Sequence, residues 1–158
     1  MSGRHVNKVI AAVDAALASG TYGLVFQLRA VETALGLTSG DLTDPLEIVA
    51  ARAPNDNRTP LVQHYAEAWR WDTAHREKVM MVDYTILVTY GAVDLEAGEL
   101  FMSRYMTAIA QIFETDSTLG GEVTGAALTD GDASRSIGDQ STTRHAWAMG
   151  LAIQVDSP

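Results

Sequence analysis

The segment from Lys78 to Val123 constrains the fold more than any other stretch, because its pattern predicts strand, turn, helix, turn and strand in succession. In the first part of the segment, apolar and aromatic side chains occupy every second position, at Met80, Val82, Tyr84, Ile86, Val88 and Tyr90. Polar residues take much of the other parity, at Asp83, Thr85 and Thr89. This alternation, rich in β-branched and aromatic residues, predicts a half-buried β-strand that Gly91 ends.

An amphipathic helix is predicted directly after this strand. Asp94 stands at the N-cap position, and Glu96 and Glu99 bring negative charge to the first turn, where the helix dipole favours it. Apolar residues then recur at helical spacing, at Leu95, Phe101, Met102, Tyr105, Ile109, Ile112 and Phe113. The helix is expected to stop within residues 115–118, and residues 119–121 turn the chain back. Such a unit needs more sheet to complete a core, which the rest of the chain must supply.

Composition limits the classes of function that fit the chain. Its 158 residues fit a single domain over residues 1–158. No apolar run approaches the roughly 18 residues that span a bilayer, and residues 1–8 do not resemble a signal peptide, so we expect a cytoplasmic protein where it is made. The absence of cysteine excludes disulfides and the usual structural zinc sites. A net charge of −9 argues against tight binding to nucleic-acid phosphates, although an acidic wall lets DNA pass without sticking.

Three elements are predicted before the central strand. Residues 4–18 form a first helix whose apolar face is Val6, Val9, Ile10, Val13 and Leu17. Residues 24–30 alternate like a strand, whereas residues 31–35 suit a helix equally well. We favour a strand over residues 24–32, and the helix stays open as the alternative. Residues 46–53, which are rich in β-branched side chains, predict a short strand.

The segment from Leu61 to Asp72 is predicted to pair with the central strand across a turn at residues 73–75, with a helix as the alternative. Three of its aromatic residues share one parity: Tyr65, Trp69 and Trp71. A base-stacking platform would need more basic residues between them than Arg70 and Arg76. We therefore interpret the three aromatic residues as a ladder in the core or in a subunit interface.

The C-terminal region is predicted to contain a short strand at residues 122–128, a long polar segment and a final strand. The polar segment, residues 129–143, is expected to be a flexible loop, or an arm that becomes ordered on a partner. Its candidate contact residues are Asp130, Asp132, Arg135 and Ile137, the last being its main apolar anchor.

The final strand places large apolar residues on one face, at Trp147, Met149, Leu151, Ile153 and Val155. Its other face carries Ala146, Ala148, Gly150 and Ala152, which are small without being polar. An ordinary solvated face would be polar. Small residues permit close approach of another layer, so Ala148, Gly150 and Ala152 are candidates for contact with a helix of this chain or with a neighbouring subunit.

The predicted order of elements indicates an α+β fold, with an antiparallel or mixed β-sheet of about four to six strands and two α-helices packed on one face. No motif indicates catalysis, a cofactor or a metal. Asp130, Asp132 and Ser134 alternate as in a calcium loop, but the late glutamate of an EF-hand is missing. The four histidines include no pair four residues apart, and no nucleophile elbow is present. We therefore do not expect an enzyme.

The central unit nevertheless resembles a known family. The resemblance rests on four segments: the strand 84–90 (YTILVTY), the helix end 105–113 (YMTAIAQIF), the turn segment 116–123 (DSTLGGEV) and the apolar last strand. These resemble the tail terminator or tail-completion proteins of long-tailed bacteriophages, which are small α+β proteins with a sheet covered by two helices. The first helix of this chain is similar in position to theirs. The resemblance covers mostly residues 78–123 and the last strand.

The resemblance implies a structural virion protein without catalysis or cofactor. In that family a hexameric ring caps the tail tube, ends its growth and joins it to the head connector, so the implied partners are copies of itself, the tube protein and a connector or neck protein. DNA would be cargo that passes the channel, and the ring would be assembled in the host cytoplasm. Two alternatives remain, a head-completion or neck adaptor ring and a ligand-binding module with a pocket near Trp69, Tyr84 and Trp147. An enzyme using Asp130, Asp132 and His145 is the least favoured.

Overall fold

A computed structural model describes residues 2–52, 59–72, 79–92, 94–137 and 143–156. The elements within these residues are α1 (Ser2–Ala18), α2 (Leu24–Leu35), β1 (Glu47–Val49), β2 (Leu61–Asp72), β3 (Val79–Ala92), α3 (Leu95–Thr115), β4 (Gly125–Ile137) and β5 (Thr143–Asp156). The predicted first helix, central strand, central helix and last strand are all present. The turn predicted at residues 73–75 lies outside the described residues.

The strands form one five-stranded sheet in the order β1-β2-β3-β5-β4. β1 pairs parallel to β2, and every other described pair is antiparallel. β3 is central, and its ladder with β5 runs from Val79 opposite Asp156 to Ala92 opposite Thr143. The predicted α+β class with a mixed sheet is therefore confirmed.

The core lies on one side of this sheet, which we call the first face. On β3 it comprises the even-numbered residues Met80, Val82, Tyr84, Ile86 and Val88, all buried. The same cluster contains apolar residues of all three described helices, such as Val13 of α1, Leu28 of α2 and Ile109 of α3. Of the described residues of β3, none with an odd number enters this cluster. Three helices, rather than the two that the sequence predicted, therefore cover the first face.

The favoured strand at residues 24–32 is wrong, because these residues form helix α2. Leu24, Leu28 and Val31 are buried at helical spacing, which buries a single face against α3 and the core. Phe26 is 49% exposed, so the alternation that favoured a strand counted an apolar residue that faces outward. The helix ends at Gly36, whose φ of 69° lies in the left-handed region that glycine adopts without strain.

Helix α3 begins as predicted. The Asp94 side chain accepts a hydrogen bond from the backbone N–H of Glu96 at 2.9 Å, which satisfies one of the free amides of the first turn. The turn after the helix uses positive φ angles at Leu119, Gly120 and Gly121 (50°, 72° and 83°). Of these residues the two glycines adopt that conformation at little cost.

The flexible loop or arm predicted at residues 129–143 requires correction. Residues 129–137 belong to β4, which pairs with β5 as far as Ile137 opposite Thr143. Residues 138–142 lie outside the described residues. The segment is polar because β4 is an edge strand whose residues 127–134 are exposed, so its composition resembles that of a loop. The strand predicted at residues 46–53 is also shorter, since β1 spans only Glu47–Val49.

Candidate functional site

The side of the sheet opposite the helices, which we call the second face, holds the small residues of the last strand. Ala148, Gly150 and Ala152 of β5 lie opposite Leu87, Thr85 and Asp83 of β3. Most of these residues are half-buried, and Asp83 is exposed. The described helices pack on the first face, so none of them covers these small residues. Contact of this face with a neighbouring subunit stays a prediction.

Gly150 lies beneath an irregularity of β4, where the register shifts between Leu128 and Gly131. A Cβ atom at Gly150 would lie 2.1 Å from Oδ1 of Asp130 and 2.7 Å from Oγ1 of Thr129. The absence of a side chain at Gly150 therefore lets the Asp130 carboxylate lie over the second face. Asp132, opposite Ala148, is exposed on the same face. Both aspartates thus lie beside the small residues of β5.

The three aromatic residues of β2 do not share a face. A bulge between Ala66 and Ala68 shifts the register, so Tyr65 lies opposite Thr85 whereas Trp69 lies opposite Val82. An extra residue in one strand reverses the parity of everything after it, which the sequence pattern did not reveal. Tyr65 is consequently on the second face, and Trp69 and Trp71 are on the first.

The surroundings of these aromatic residues also differ. The guanidinium carbon of Arg52 lies 4.4 Å from the centre of the Tyr65 ring, and Arg52 also forms a 2.6 Å ion pair with Glu67. Trp71 is half-buried against the core, whereas Trp69 is 49% exposed. Of the three, Trp69 has the most exposed side chain.

Arg135 and Ile137 lie near the end of β4, where their backbones are in register with His145 and Thr143 of β5. They therefore belong to the same edge strand as Asp130 and Asp132. The candidate interface residues accordingly divide among the second face, the β4 edge and the far end of β2.

A polar cluster that the sequence did not reveal connects α1 to the sheet. Nδ1 of His64 lies 2.6 Å from the Tyr84 hydroxyl, and Nε2 lies 2.8 Å from a carboxylate oxygen of Asp14. Burial lowers the pKa of His64, and the hydrogen bond and charge of Asp14 oppose that effect only in part. Burial, followed by the nearby Asp14 charge, raises the pKa of Tyr84. The cluster is therefore a neutral histidine held between a phenol and a carboxylate.

A second polar cluster holds the loop between α2 and β1. The buried carboxylate of Glu32 accepts 2.8 Å hydrogen bonds from the backbone N–H groups of Gly40 and Leu42, and Arg29 lies 2.6 Å from its other oxygen. Arg29 also pairs with Asp44. Burial alone would raise the pKa of Glu32, but these hydrogen bonds outweigh it and lower that pKa. The spacing of Arg29 and Glu32 was the only sequence signal for this cluster.

The tyrosine of the central helix fixes the same loop. The hydroxyl of Tyr105 donates a 3.1 Å hydrogen bond to the carbonyl oxygen of Thr43, and the rest of the side chain is buried. Burial raises the pKa of this phenol above its ordinary value. Both polar clusters thus link elements of the fold to one another.

His145 and the two aspartates of the least favoured hypothesis are not brought together. His145 is buried on the first face, opposite Tyr90, with its Nδ1 3.8 Å from a carboxylate oxygen of Glu99. Asp130 and Asp132 lie on the second face. The sheet therefore separates the three groups. In the part of the chain that the structure describes, no group of three or more acidic or histidine side chains is placed to hold a metal ion.

The residues of the predicted ligand pocket are also apart. Tyr84 is buried in the core, Trp69 lies opposite Val82, and Trp147 lies opposite Val88. At the rise of an extended strand, Val82 and Val88 lie about 20 Å apart along β3, so the two tryptophans opposite them are separated by a similar distance. Trp147 instead lines an open groove of about 280 Å³ beside β4, with Met106, Ala133 and Met149 among its other residues. A further open groove of about 220 Å³ lies between α2 and α3.

Comparisons with known proteins yield a structural likeness and no match to a family or a curated protein. No protein-family model matches the chain, and no curated protein matches its sequence. A chain in the solved structure titled "Virion of native gene transfer agent (GTA) particle" is similar over 85% of this chain and 92% of its own length, with a TM-score of 0.44 and 12% sequence identity. A likeness this weak carries no functional argument. None of the described helices has the length and apolar character needed to cross a membrane.

Proposed function

We propose that this protein is a structural virion component that forms a homo-oligomeric ring at the head–tail junction of a phage-like particle. The ring, hexameric in the family that the sequence resembles, would cap the tail tube, end its growth and join it to the head connector. The observation that carries the proposal is the one-sided fold. The helices cover the first face, while the second face presents Ala148, Gly150 and Ala152 with the strand edges beside it.

The two interior polar clusters support a structural role. The hydrogen bonds of His64 reach Asp14 of α1 and Tyr84 of β3, and those of Glu32 reach the loop before β1. Satisfied buried networks of this kind hold elements in one arrangement. A ring subunit needs such rigidity, because small errors in its contact angles would prevent closure. We also propose that the protein is not an enzyme.

A neck adaptor ring is the second candidate, because it would use the same one-sided subunit. The two functions differ in the surface that the ring recognises first, either the end of the tail tube or the head connector. Purified protein mixed separately with tail tubes and with connectors would distinguish them. A tail terminator binds tube ends and stops their elongation, whereas an adaptor binds connectors and leaves tube growth unchanged.

The proposal is tested by the mass of the purified protein in solution, measured by light scattering over a concentration series, and by electron microscopy of tail tubes assembled with and without it. Six copies of the 17.0 kDa chain would have a mass of about 102 kDa. We expect a ring-sized species, alone or at tube ends, and tubes of limited length. A chain that stays monomeric at every concentration and leaves tubes unbound and growing would overturn the proposal.

A further inference from the structure

The sheet ends in two unlike open edges. On one side, β1 pairs with β2 only at residues 61–63, and within the described residues no strand pairs with β2 on that side beyond Gln63. Residues 67–70 of β2 are exposed. On the other side, β4 pairs with β5 alone among the described strands. The amide of Ala126 donates to the carbonyl oxygen of Ser117, so the open part of β4 begins after Ala126.

Exposed edges offer unpaired backbone groups to another strand, and bulges and charges such as those of β2 and β4 restrict which strand can pair there. The second face offers one exposed cation at the β2 edge, Arg70, which also forms an exposed 3.4 Å ion pair with Asp83, and one exposed anion at the β4 edge, Asp132. Arg70 of β2 lies opposite Met81, and its side chain is 64% exposed. Asp132 of β4 lies opposite Ala148 and is exposed on that same face. Pairing of β4 with a second β4 would bring aspartates together, whereas pairing of β2 with β4 brings Arg70 near Asp132.

On the first face, the β2 edge carries an exposed aromatic side chain and the β4 edge borders an apolar groove. Trp69 extends from β2 and is 49% exposed. Beside β4, the groove of about 280 Å³ presents Met106, Ala133, Trp147 and Met149. An indole that enters such a groove buries a large apolar area, and it keeps its N–H near the rim, where a polar group or water accepts from it. The edge of one copy thus carries an aromatic side chain that the edge of another copy can receive.

The strand directions agree with such a contact. In the order β1-β2-β3-β5-β4, β2 and β4 run in opposite directions, so a sheet that continues from copy to copy pairs them antiparallel. The open parts of β2 and β4 lie at different heights along the strand direction. Followed across the ladders of the sheet, Asp132 of β4 is in register with Gln63 of β2, whereas Arg70 of β2 is in register with Gln154 of β5. A stagger between neighbouring strands arises when strands tilt by about 35–45° to the axis of a closed barrel.

We propose that successive copies of this chain join edge to edge, with residues 67–72 of β2 in one copy pairing antiparallel with the part of β4 after Ala126 in the next. Trp69 then enters the groove beside β4, and Arg70 faces Asp132. The inference rests on the proposed ring and names its contact. The contact is heterologous, since each copy contributes one edge of each kind, and heterologous contacts form a ring when the rotation between successive copies closes.

The test uses engineered cysteines, because the chain has none of its own. Ala68→Cys on β2 is combined in turn with Ala127→Cys, Asp132→Cys and Ser134→Cys on β4, which are exposed second-face positions. Within one copy, β3 and β5 lie between the two strands, which places the cysteines about 14 Å apart, beyond the roughly 7 Å that a disulfide spans. Any disulfide between β2 and β4 is therefore intermolecular. Ala68→Cys with Ala133→Cys, on opposite faces, is the matched control.

We expect Ala68→Cys with Ser134→Cys to give a ladder of covalent oligomers up to ring size on a non-reducing gel, because an antiparallel pair with Arg70 opposite Asp132 places Ala68 opposite Ser134. A ladder from the Ala127→Cys pair alone would mean a different register and would overturn the contact of Arg70 with Asp132. Each single-cysteine variant should give no more than dimers, and the opposite-face control should give no ladder. Ring-sized particles in light scattering without a ladder from any pair would overturn the edge contact and leave the proposed ring intact. A ladder of equal strength from the control would also overturn it. Absence of oligomers in solution and on tail tubes would instead reject the proposed function itself.

Discussion

Nδ1 of His64 lies 2.6 Å from the hydroxyl oxygen of Tyr84 inside the core, and the other ring nitrogen lies 2.8 Å from Asp14. A carboxylate only accepts hydrogen bonds, so Nε2 carries the proton and donates to Asp14. Nδ1 is then the acceptor, and the Tyr84 hydroxyl donates to it. This single arrangement satisfies all three side chains, and it determines what each of them contributes to stability.

Replacement of Tyr84 by phenylalanine should destabilise the fold by about 1–3 kcal/mol, because it leaves a buried acceptor on His64 without its donor. Urea unfolding followed by circular dichroism measures the change. Tyr90→Phe is the matched control, since the Tyr90 ring stacks on Phe101 with centroids 3.8 Å apart and that contact does not need the hydroxyl. Equal losses in the two variants would contradict the assigned role of the Tyr84 hydroxyl.

Stability should fall as the pH drops below about 6.5, the ordinary pKa of histidine. The pKa of His64 is lowered in the folded state, so the unfolded chain takes up the proton first. Its contribution is therefore complete above the unfolded pKa and is lost as the pH falls towards the folded one. Unfolding free energies between pH 8 and pH 5 measure the slope. In His64→Gln this slope should flatten, even if overall stability is lower, and an unchanged slope would assign the effect to other groups.

Replacement of Glu32 by glutamine should release the loop at residues 38–44. The neutral amide keeps the shape but weakens the charge-assisted hydrogen bonds from Gly40, Leu42 and Arg29, at a cost of about 1.5–3 kcal/mol. Hydrogen exchange at the Gly40 and Leu42 amides should accelerate more than exchange in β3. Glu114→Gln, at an exposed position of α3, is the control and should leave both amides protected.

Gly98→Ala should destabilise the protein although alanine favours helices. A Cβ at this position of α3 would lie 2.2 Å from Nε2 of His145, and overpacking of this kind costs about 1–3 kcal/mol. Gly20→Ala is the control, because a Cβ there meets no atom within 4 Å. The test is the Tm of each variant, measured by thermal unfolding and compared with that of the unmodified protein. A Gly98→Ala variant with raised Tm would show that His145 moves aside without cost.

Arg70→Glu should weaken assembly and leave folding nearly unchanged, because it places a negative charge opposite the acidic β4 edge of the next copy. Its ion pair with Asp83, at 3.4 Å, is exposed and adds little to stability. Combining Arg70→Glu with Asp132→Arg restores opposite charges and should restore the ring. Light scattering of the three proteins, with circular dichroism as the check on folding, tests this. A double variant that assembles no better than Arg70→Glu alone would contradict the pairing of the two edges.

The elements that the sequence predicted well are those whose burial follows one period without interruption. The burial of β3 alternates without interruption from Val79 to Val88, and α3 keeps one apolar stripe behind its Asp94 cap. In both elements local preference and tertiary burial favour the same structure. The two faces of β5 were separated for the same reason, since Ala148, Gly150 and Ala152 alternate with core residues.

The errors arose where tertiary context changes the meaning of a local pattern. Helix α2 exposes Phe26, which resembled the apolar face of a strand. The bulge in β2 reverses parity after Ala66, which separates Tyr65 from the two tryptophans. The sequence of β4 resembles that of a loop, because an edge strand has one neighbour and a solvated surface and is therefore polar. The contacts of His64 with Asp14 and Tyr84 join residues far apart in sequence, and no local spacing encodes them.

The position of β5 has a consequence for how the chain is made. This strand comes last in the sequence and yet lies between β3 and β4 in the sheet. Until it emerges from the ribosome, β3 and β4 both lack a strand that pairs with them among the described strands, so the nascent chain exposes unpaired strands that are prone to aggregate. Contacts over such sequence separations also slow folding. The sheet therefore closes in one late step, and yield during synthesis should depend on chaperones more than the stability of the finished fold would indicate.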